Sequence, residues 1–371
     1  MTSPITNAYD LEARYPKLDV ERTFIYAPEI AWTYSHHPHI TCFKGRLCAM
    51  WSNGRVNEDD VGQRVLITSS DDFKAWTAPA PLVDSLPGRH SELVLTAAGF
   101  HQHEGTLVAC FGQYEYKPGA LTGGHRRPSD TSHMDVTLRA LTTTDGKTWT
   151  GPVDLGLPIV PNHGPQAIRS GRLILSGNVT FPWTDDPSGL VGWTMSGVYP
   201  ADMADDVVDD SGGFRPVAER LGLPTALCEG SFYQTDDDVI HMMFRSHTGF
   251  LWHAGSTDDG ETWSAPEPTA FTDDCAKFHF GRLPDGRFTY VGNPRTGGGR
   301  CPLVLSLSED GVRFDRHHVL ANEYYKMKRD GMHKGGQYGY PHTMVHDGRL
   351  YVIVSRRKEA VEVLRTPIDR L

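Results

Sequence analysis

Titratable side chains recur at the start of short apolar segments along this sequence. Histidine accounts for 18 of the 371 residues, and its charge changes readily near neutral pH. Histidine, glutamate and tyrosine that converge on one cavity can exchange protons with a substrate, while arginine can neutralise an anion. The pattern therefore indicates acid–base chemistry on an anionic substrate. The candidates are His36, His37, His39, His90 with Glu92, His163 with Gln166, Glu229, His279, and Tyr340 with His342.

A second set of polar residues stands where the following apolar segment ends. Tyr114, Arg295 and Arg356 are the members of this set that suit proton transfer or anion binding. We expect these segment ends to face the same side as the first set, or its rim.

The elements that must position these residues are short strands. Apolar residues alternate or occur in bursts of four to six, bounded by Gly, Asn, Asp or Pro, and helical periodicity is nearly absent. Similar turns precede the bursts, with a Gly or Asp at positions 45, 105, 171, 238, 286 and 348. Tight hairpins need such residues because their backbone takes positive φ. The spacing averages about 61 residues, which gives about six repeats in the chain.

A second repeat runs out of phase with the first. Residues 256–263 match the Asp-box pattern S-x-D-x-G-x-T-W, and degraded copies keep its frame at 142–149, 69–76 and 307–314. One unit between Trp149 and Trp263 lacks a readable box. A four-stranded unit repeated in this way predicts an all-β fold, a β-propeller of six repeats. We expect residues 1–371 to form one domain, closed into a ring by a strand near 22–27.

Composition limits the partners. The net charge of −10 argues against a nucleic-acid binder, which would present a basic surface. The longest apolar burst falls well short of a membrane span, and residues 1–10 lack the features of a secretory signal. We therefore expect a cytoplasmic protein with a short oligosaccharide as substrate, and neither a nucleic acid nor a membrane as partner.

Asp boxes are structural and do not identify a reaction. They resemble those of sialidases, whose site requires three arginines for the substrate carboxylate, a Tyr–Glu nucleophile pair and usually an Arg-Ile-Pro near the first strand. This sequence has no Arg-Ile-Pro, and its first inner strand begins with His36-His37-Pro38-His39. The sequence therefore disfavours a sialidase.

Two stretches, residues 34–54 and 339–364, resemble the propeller enzymes that remove L-rhamnose from D-glucuronate in arabinogalactan. Those enzymes have been described both as rhamnosidases and as rhamnosyl-glucuronate lyases, and ulvan lyases look like more distant relatives. The family usually has seven blades, whereas six repeats are counted here. The resemblance implies β-elimination, in which a base removes the C5 proton of glucuronate and the bond to rhamnose breaks.

The resemblance also implies roles for individual residues. The essential histidine of the family's His-His-Pro-x-Ile segment falls on His37, with His36 or His39 as alternatives by register. We assign His37 as the base and Tyr114 as the acid that protonates the departing oxygen. Arg295 or Arg356 would bind the carboxylate. The remaining predicted contacts to substrate are His39, His90, His163, Gln166, Glu229, Tyr340 and His342.

Two other functions stay open. An ordinary glycoside hydrolase needs two carboxylates, for which Glu92 and Glu229 are available, and a sugar-binding propeller needs no catalytic group. No cofactor is required by the sequence. A divalent metal, calcium or zinc, is left open as a structural or carboxylate-neutralising ion, although Cys275 with His279, and His247 with His253, match no standard zinc spacing. The Asp-rich stretches 205–206, 209–210, 236–238 and 273–274 are expected to be solvated loops.

Overall fold

The computed structural model describes residues 3–128, 132–203 and 210–371. Within these ranges the chain is nearly all β-structure, as predicted. One α-helix, α1 (Asp210–Arg220), and three short 3-10 helices at Pro118–Ala120, Ala201–Met203 and Ile368–Arg370 accompany the strands. Among the described residues, no helix combines the length and the hydropathy needed to cross a membrane.

The strands form six sheets of three or four strands, each built largely from consecutive segments. The chain enters through β1 (Glu21–Tyr26). Sheet one contains β2 (Tyr34–Phe43), β3 (Arg46–Gly54), β4 (Arg64–Ser70) and β5 (Ala80–Val83). Sheet two contains β6 (Val94–His103), β7 (Thr106–Tyr116), β10 (His133–Thr143) and β11 (Thr150–Asp154), and a separate hairpin joins β8 (Leu121–Thr122) to β9 (His125–Arg126). Sheet three contains β12 (His163–Ala167), β13 (Leu173–Ser176) and β14 (Trp183–Thr184).

The second half of the chain repeats the pattern. Sheet four contains β15 (Cys228–Gln234), β16 (Ile240–Arg245), β17 (Phe250–Ser256) and β18 (Glu267–Thr272). Sheet five contains β19 (His279–Arg282), β20 (Phe288–Gly292), β21 (Leu303–Ser308) and β22 (Arg316–Ala321). Sheet six contains β23 (Gly339–His346), β24 (Arg349–Arg356) and β25 (Ala360–Pro367), with β1 antiparallel to β25 at its outer edge.

The sheets are arranged as a ring around a central axis. Neighbouring sheets contact each other through their first strands, except that sheets three and four meet through β13 and β15. β23 of the last sheet contacts β2 of the first. Separate apolar clusters fill the spaces between neighbouring sheets, for example Trp51 with Ile353 between sheets one and six. The arrangement is the β-propeller that the repeats predict, and it brings the first strands of all six sheets to the axis.

The hairpins that join the first two strands of a sheet follow the predicted turn chemistry. In three of them both turn residues have positive φ, as a type I′ turn requires. These turns are Lys44-Gly45, Glu104-Gly105 and Asp347-Gly348. Gly171, Asp238 and Gly286 also have positive φ at the corresponding places.

The Asp boxes close outer hairpins and are satisfied by their own residues. In the full copy, Ser256 Oγ accepts the Gly260 N–H at 2.9 Å and Asp258 Oδ1 accepts the Thr262 N–H at 2.9 Å. In the degraded copies the capping residues stand one position later than the sequence frame places them, at Thr143 with Asp145, Ser70 with Asp72, and Ser308 with Asp310. In these copies the segment from the capping Asp to the aromatic residue is one residue shorter than in the full copy. The capping residues therefore stand one position later than the full pattern predicts.

The unit without a readable box has an equivalent turn. Asp186 Oδ1 accepts the Ser188 N–H at 3.0 Å, and the Trp193 indole donates to the Gly189 carbonyl at 3.1 Å. The Trp263 indole makes the same type of bond to the Gly260 carbonyl. Extra residues between Asp186 and Trp193 hide this turn from the sequence pattern.

Candidate active site

The site is built on irregularities in the first strands of the sheets. Five of these six strands shift register near their start, between His36 and His39 in β2, for example, and between Gly339 and His342 in β23. Such bulges re-aim side chains. His37, Glu229 and Tyr340 lie in three of the bulges, with φ of 53°, 52° and 53°. Non-glycine residues seldom take this conformation, so three of them around one axis indicate a functional constraint.

The three residues line one pocket. Its walls are mostly polar. The other lining residues are Asp59, Thr96, Ala97, Tyr114, His133, Val160, Pro161, Asn162, Asn178 and Lys277.

A hydrogen-bonded tyrosine–glutamate pair lines the pocket. The Tyr340 hydroxyl donates a hydrogen bond to Glu229 Oε1. The Arg245 guanidinium donates from Nη1 to Glu229 Oε2 at 2.6 Å and lies 3.3 Å from the Tyr340 hydroxyl. Both partners of the ion pair are largely buried, with side-chain exposures of 16% for Arg245 and 13% for Glu229. Glu229 is therefore fixed as an acceptor for the phenolic proton.

The charges around the pair keep the glutamate ionised. Burial alone would raise the pKa of Glu229, but the Arg245 charge and its hydrogen bond, together with Tyr340, lower that pKa to about 2. Burial raises the pKa of Tyr340 well above its usual value, and the adjacent Glu229 charge adds to this. At neutral pH the pair therefore consists of a neutral phenol and a carboxylate.

Two further basic residues lie near the Tyr340 ring. Lys277 Nζ lies 5.6 Å from the Tyr340 ring centre and Arg300 Cζ lies 5.7 Å from it. Lys277 is 1% exposed, and within the described chain its amine has no hydrogen-bond partner. Burial lowers the pKa of Lys277 to about 7, partly offset by Glu229. Three basic groups thus lie around the Tyr340–Glu229 pair, and of these Lys277 lines the pocket. This side of the pocket would attract an anion.

His37 and His36 have different environments. His37 lines the pocket, its Nδ1 lies 3.1 Å from Ser52 Oγ, and burial lowers its pKa to about 3. His36 is completely buried, with its ring centre 3.8 Å from that of Tyr340 and its Nδ1 2.7 Å from Ser355 Oγ. Of these two histidines, His37 therefore presents its ring to the pocket, whereas His36 packs against Tyr340 and holds it in place.

Other predicted site residues gather deeper on the axis. His39, His163 and His342 bring one ring nitrogen each to within 4.8 Å of one another. His279 borders them, with its ring centre 4.7 Å from that of His163 and 4.6 Å from that of His342. These four imidazoles form the axial histidine cluster, which is the group in the described residues with the donor types to hold a metal.

Several predicted residues do not reach the pocket. Arg356 is buried, but its guanidinium binds Glu362 at 2.5 Å and packs on the Tyr338 ring, so none of it faces a substrate. Arg295 and His90 are exposed outside the pocket. Glu92 pairs with Arg55 at 2.5 Å on the surface. Gln166 is half-buried on β12, and Tyr114, by contrast, does line the pocket.

The basic residues of the pocket were missed as site residues. Lys277 stands two residues before His279, as His37 does before His39 and Tyr340 before His342. That shared spacing is the signal that would have identified it. Arg245 ends a second strand as expected for a rim residue, yet nothing local distinguishes it from Arg356.

The structure also shows where the Cys–His pairs and the Asp-rich stretches of the sequence lie. Cys275 Sγ lies 3.2 Å from His247 Nδ1, whereas His253 bonds His241 at 3.0 Å and His279 bonds Thr343 at 2.7 Å, so the residues do not converge. Residues 205–206 and 209 lie outside the described residues, and residue 210 begins α1. Residues 236–238 form a surface turn. Asp273 is not in a solvated loop, because it is 1% exposed and burial raises its pKa to about 7.

The sequence profile of the BNR repeat-like domain matches residues 45–352, and a search of the curated proteins found no match. Solved structures resemble the fold at low identity. A protein of unknown function from Dyadobacter fermentans DSM 18053 is 16% identical with a TM-score of 0.65, over 94% of this chain and 99% of that one.

Sialidases are also among the similar structures. NanB sialidase from Streptococcus pneumoniae is 14% identical with a TM-score of 0.65, over 94% of this chain and 71% of that one. Trypanosoma rangeli sialidase in complex with sialic acid is 12% identical with a TM-score of 0.61, over 96% of this chain and 60% of that one. This chain spans 33% of a further sialidase. At these identities the likeness is one of fold, the β-propeller.

Proposed function

The chain belongs to the BNR repeat-like domain family, and on that premise we propose that it is a glycoside hydrolase for sugars that carry a carboxylate, with Tyr340 as nucleophile. The observation that carries the proposal is the hydrogen bond from the Tyr340 hydroxyl to Glu229, a pair that has three basic groups around it. Sialidases are the exception among glycosidases in using a tyrosine as nucleophile. Sialidases are also among the structures that share this fold.

A neutral nucleophile suits an anionic sugar. A carboxylate nucleophile would repel the substrate's own carboxylate inside a partly dry pocket, where charges interact strongly. A phenol avoids this repulsion, provided that a base removes its proton during attack. Glu229 is ionised and hydrogen-bonded to the phenol, so it can fill that role.

The reaction would proceed in two displacements. Tyr340 Oη attacks the anomeric carbon while its proton passes to Glu229, and the bond from that carbon to the leaving oxygen breaks. Asp59, the other carboxylate that lines the pocket, donates a proton to the leaving oxygen. Water then attacks the glycosyl-tyrosine, Asp59 takes the water proton, and Glu229 returns its proton to Tyr340.

The basic groups would hold the substrate carboxylate. Arg245 Nη2 and Lys277 Nζ have no hydrogen-bond partners within the described chain, and Arg300 Nη1 is buried without one. Charge-assisted hydrogen bonds to a carboxylate would satisfy all three. This arrangement replaces the predicted binding by Arg295 or Arg356.

β-Elimination from a rhamnosyl-glucuronate is the second candidate. The observation that favours it is the position of His37 in the pocket, oriented by Ser52 and with its ring centre 5.2 Å from that of Tyr340. His37 would remove the C5 proton of glucuronate, the basic groups would neutralise its carboxylate, and Tyr340 would replace Tyr114 as the acid on the departing rhamnose oxygen.

One assay separates the two candidates. The protein is incubated with a sialoside, a glucuronoside and a rhamnosyl-glucuronate, and free sugar is measured together with the ultraviolet absorbance of an unsaturated uronate. Release of sugar without absorbance, and trapping of a fluorinated sugar on Tyr340 by mass spectrometry, is the expected result. Absorbance that disappears in His37→Ala would favour elimination and contradict the hydrolase. Release that persists in Tyr340→Phe would also contradict the proposed nucleophile.

A further inference from the structure

The axial histidine cluster has more ring nitrogens than hydrogen-bond partners. His39 and His163 are fully buried, and both nitrogens of each ring have no partner in the described chain. The Nε2 atom of His279 is also buried without a partner. Each neutral imidazole carries one donor and one acceptor, and leaving such groups unsatisfied in a protein interior is costly.

The cluster offers imidazole nitrogens as donors. Within the described residues no carboxylate joins it. Neutral imidazole is the commonest side-chain ligand of metal ions.

From this geometry we infer that His39, His163 and His342 form a binding site for a divalent first-row transition metal, with zinc as the best match. Three imidazoles and one open position are a coordination set that zinc accepts, and a metal would use a lone pair on each ring. Nothing in the proposed hydrolysis requires this site, so the inference goes beyond that function.

The distances are compatible with coordination after a small closure. Ligands at about 2.1 Å from a tetrahedral ion are about 3.4 Å apart, whereas the three nitrogens lie within 4.8 Å of one another. His342 Nδ1 accepts the Ile40 N–H at 3.4 Å, a long contact whose loss costs little. His342 is half-buried, while the other two ligands are fully buried, so it marks the side from which an ion enters.

A metal here would connect distant parts of the chain. Its ligands lie on β2, β12 and β23, the first strands of sheets one, three and six. His37 and Tyr340 each precede a ligand by two residues. The ion would therefore fix the strands that carry the pocket and stabilise the ring by mass action.

The test uses the untagged full chain after treatment with a chelator and dialysis. Zn²⁺ is added, and bound metal is measured by plasma mass spectrometry together with the melting temperature. We expect one equivalent per chain and a rise of roughly 3 °C or more at a hundredfold excess over Kd. Co²⁺ is titrated into the wild type in parallel, where the intense visible bands of tetrahedral cobalt are expected.

The matched variants are His163→Gln and His253→Gln. His163→Gln should lose the bound equivalent, while His253→Gln, in the separate His241–His253 pair, should retain it. Binding of less than about a tenth of an equivalent by the wild type, or retention of metal by His163→Gln, would overturn the inference. The cobalt spectrum of the wild type decides the matter if His163→Gln does not fold, since bands of octahedral cobalt alone would contradict the site.

Discussion

Two of the regions of this propeller that contain left-handed backbone, the outer Asp-box turns and the inner bulges, use it for different purposes. In the outer Asp-box turns it is taken mostly by glycine, at Gly146, Gly260 and Gly311. In the inner bulges it is taken by His37, Glu229 and Tyr340, where a residue with a Cβ pays about 1–2 kcal/mol for the conformation. Glycine thus stands where the turn alone matters, and a residue with a strained backbone stands where the direction of the side chain matters.

The largest expected effect is the loss of kcat when the proposed nucleophile of the inner bulges is removed. Tyr340→Phe should lower kcat by on the order of 10³-fold or more, because no oxygen remains to attack the substrate. Tyr338→Phe is the matched control. The Tyr338 hydroxyl bonds the Glu323 carbonyl at 3.0 Å outside the pocket, so its loss should affect stability alone. Equal activity in the two variants, measured on any substrate that the wild type turns over, would contradict the assignment.

A smaller effect is expected from the arginine that holds Glu229. Arg245→Met should lower kcat/KM by roughly 10–100-fold, through loss of charge-assisted hydrogen bonds. Burial would then raise the pKa of Glu229, since the main group that lowers this pKa is gone. The pH profile of kcat/KM should gain an acid limb at higher pH than in the wild type.

Arg172 provides the outer counterpart for that experiment. It pairs with Asp185 at 2.8 Å and Glu261 at 3.1 Å on the Asp-box side of sheets three and four. Arg172→Met should leave the pH profile unchanged. A shift of the same size in both variants would mean that Arg245 acts through stability rather than in the pocket.

Substitutions in the outer Asp-box turns should lower stability and leave activity unchanged. Asp258→Ala removes the acceptor for the Thr262 N–H and should lower the free energy of unfolding by about 1 kcal/mol, as loss of a comparable cap does. Urea denaturation measures the change, and kcat should stay at the wild-type value. A loss of activity in the folded variant would contradict the claim that the outer turns affect stability alone.

A last prediction concerns the pH dependence of stability and a buried carboxyl behind the inner region. The pKa of Asp273 is about 7 when folded, above the ordinary value near 3.9, so the folded state binds its proton more tightly. Its contribution to stability should fall as pH rises from about 4 to about 7. Asp273→Asn should remove that part of the fall, seen as a smaller difference between urea midpoints at pH 5 and pH 8. An unchanged difference would contradict the shift.

The fold could be predicted because it depends on features that repeat. The Gly and Asp turns occur once per unit and the Asp-box turns occur in sheets one to five, and each has a local cause in backbone conformation or capping. The sequence frame failed where a turn changed length, at Thr143 with Asp145, Ser70 with Asp72 and Ser308 with Asp310, and between Asp186 and Trp193.

The site could be predicted only in part because it depends on departures from the repeat. His37, Tyr114, Glu229 and Tyr340 stand at predicted places and line the pocket. Arg356 and Arg245 end equivalent strands, yet one binds Glu362 and the other Glu229, a choice made by neighbours far away in sequence. The Tyr340–Glu229 contact spans 111 residues, and no local pattern predicts it.

The pairing of β1 with β25 also determines when the pocket can exist during synthesis. β1 is made before every other strand of the ring, and its partner is the last of them. Until β25 leaves the ribosome, β1 lacks its partner strand. Until β23 has emerged, β2, which carries His37, lacks the neighbouring strand that carries Tyr340. The two residues meet at the last seam to close, so a nascent chain remains without a complete site until the whole ring has been translated.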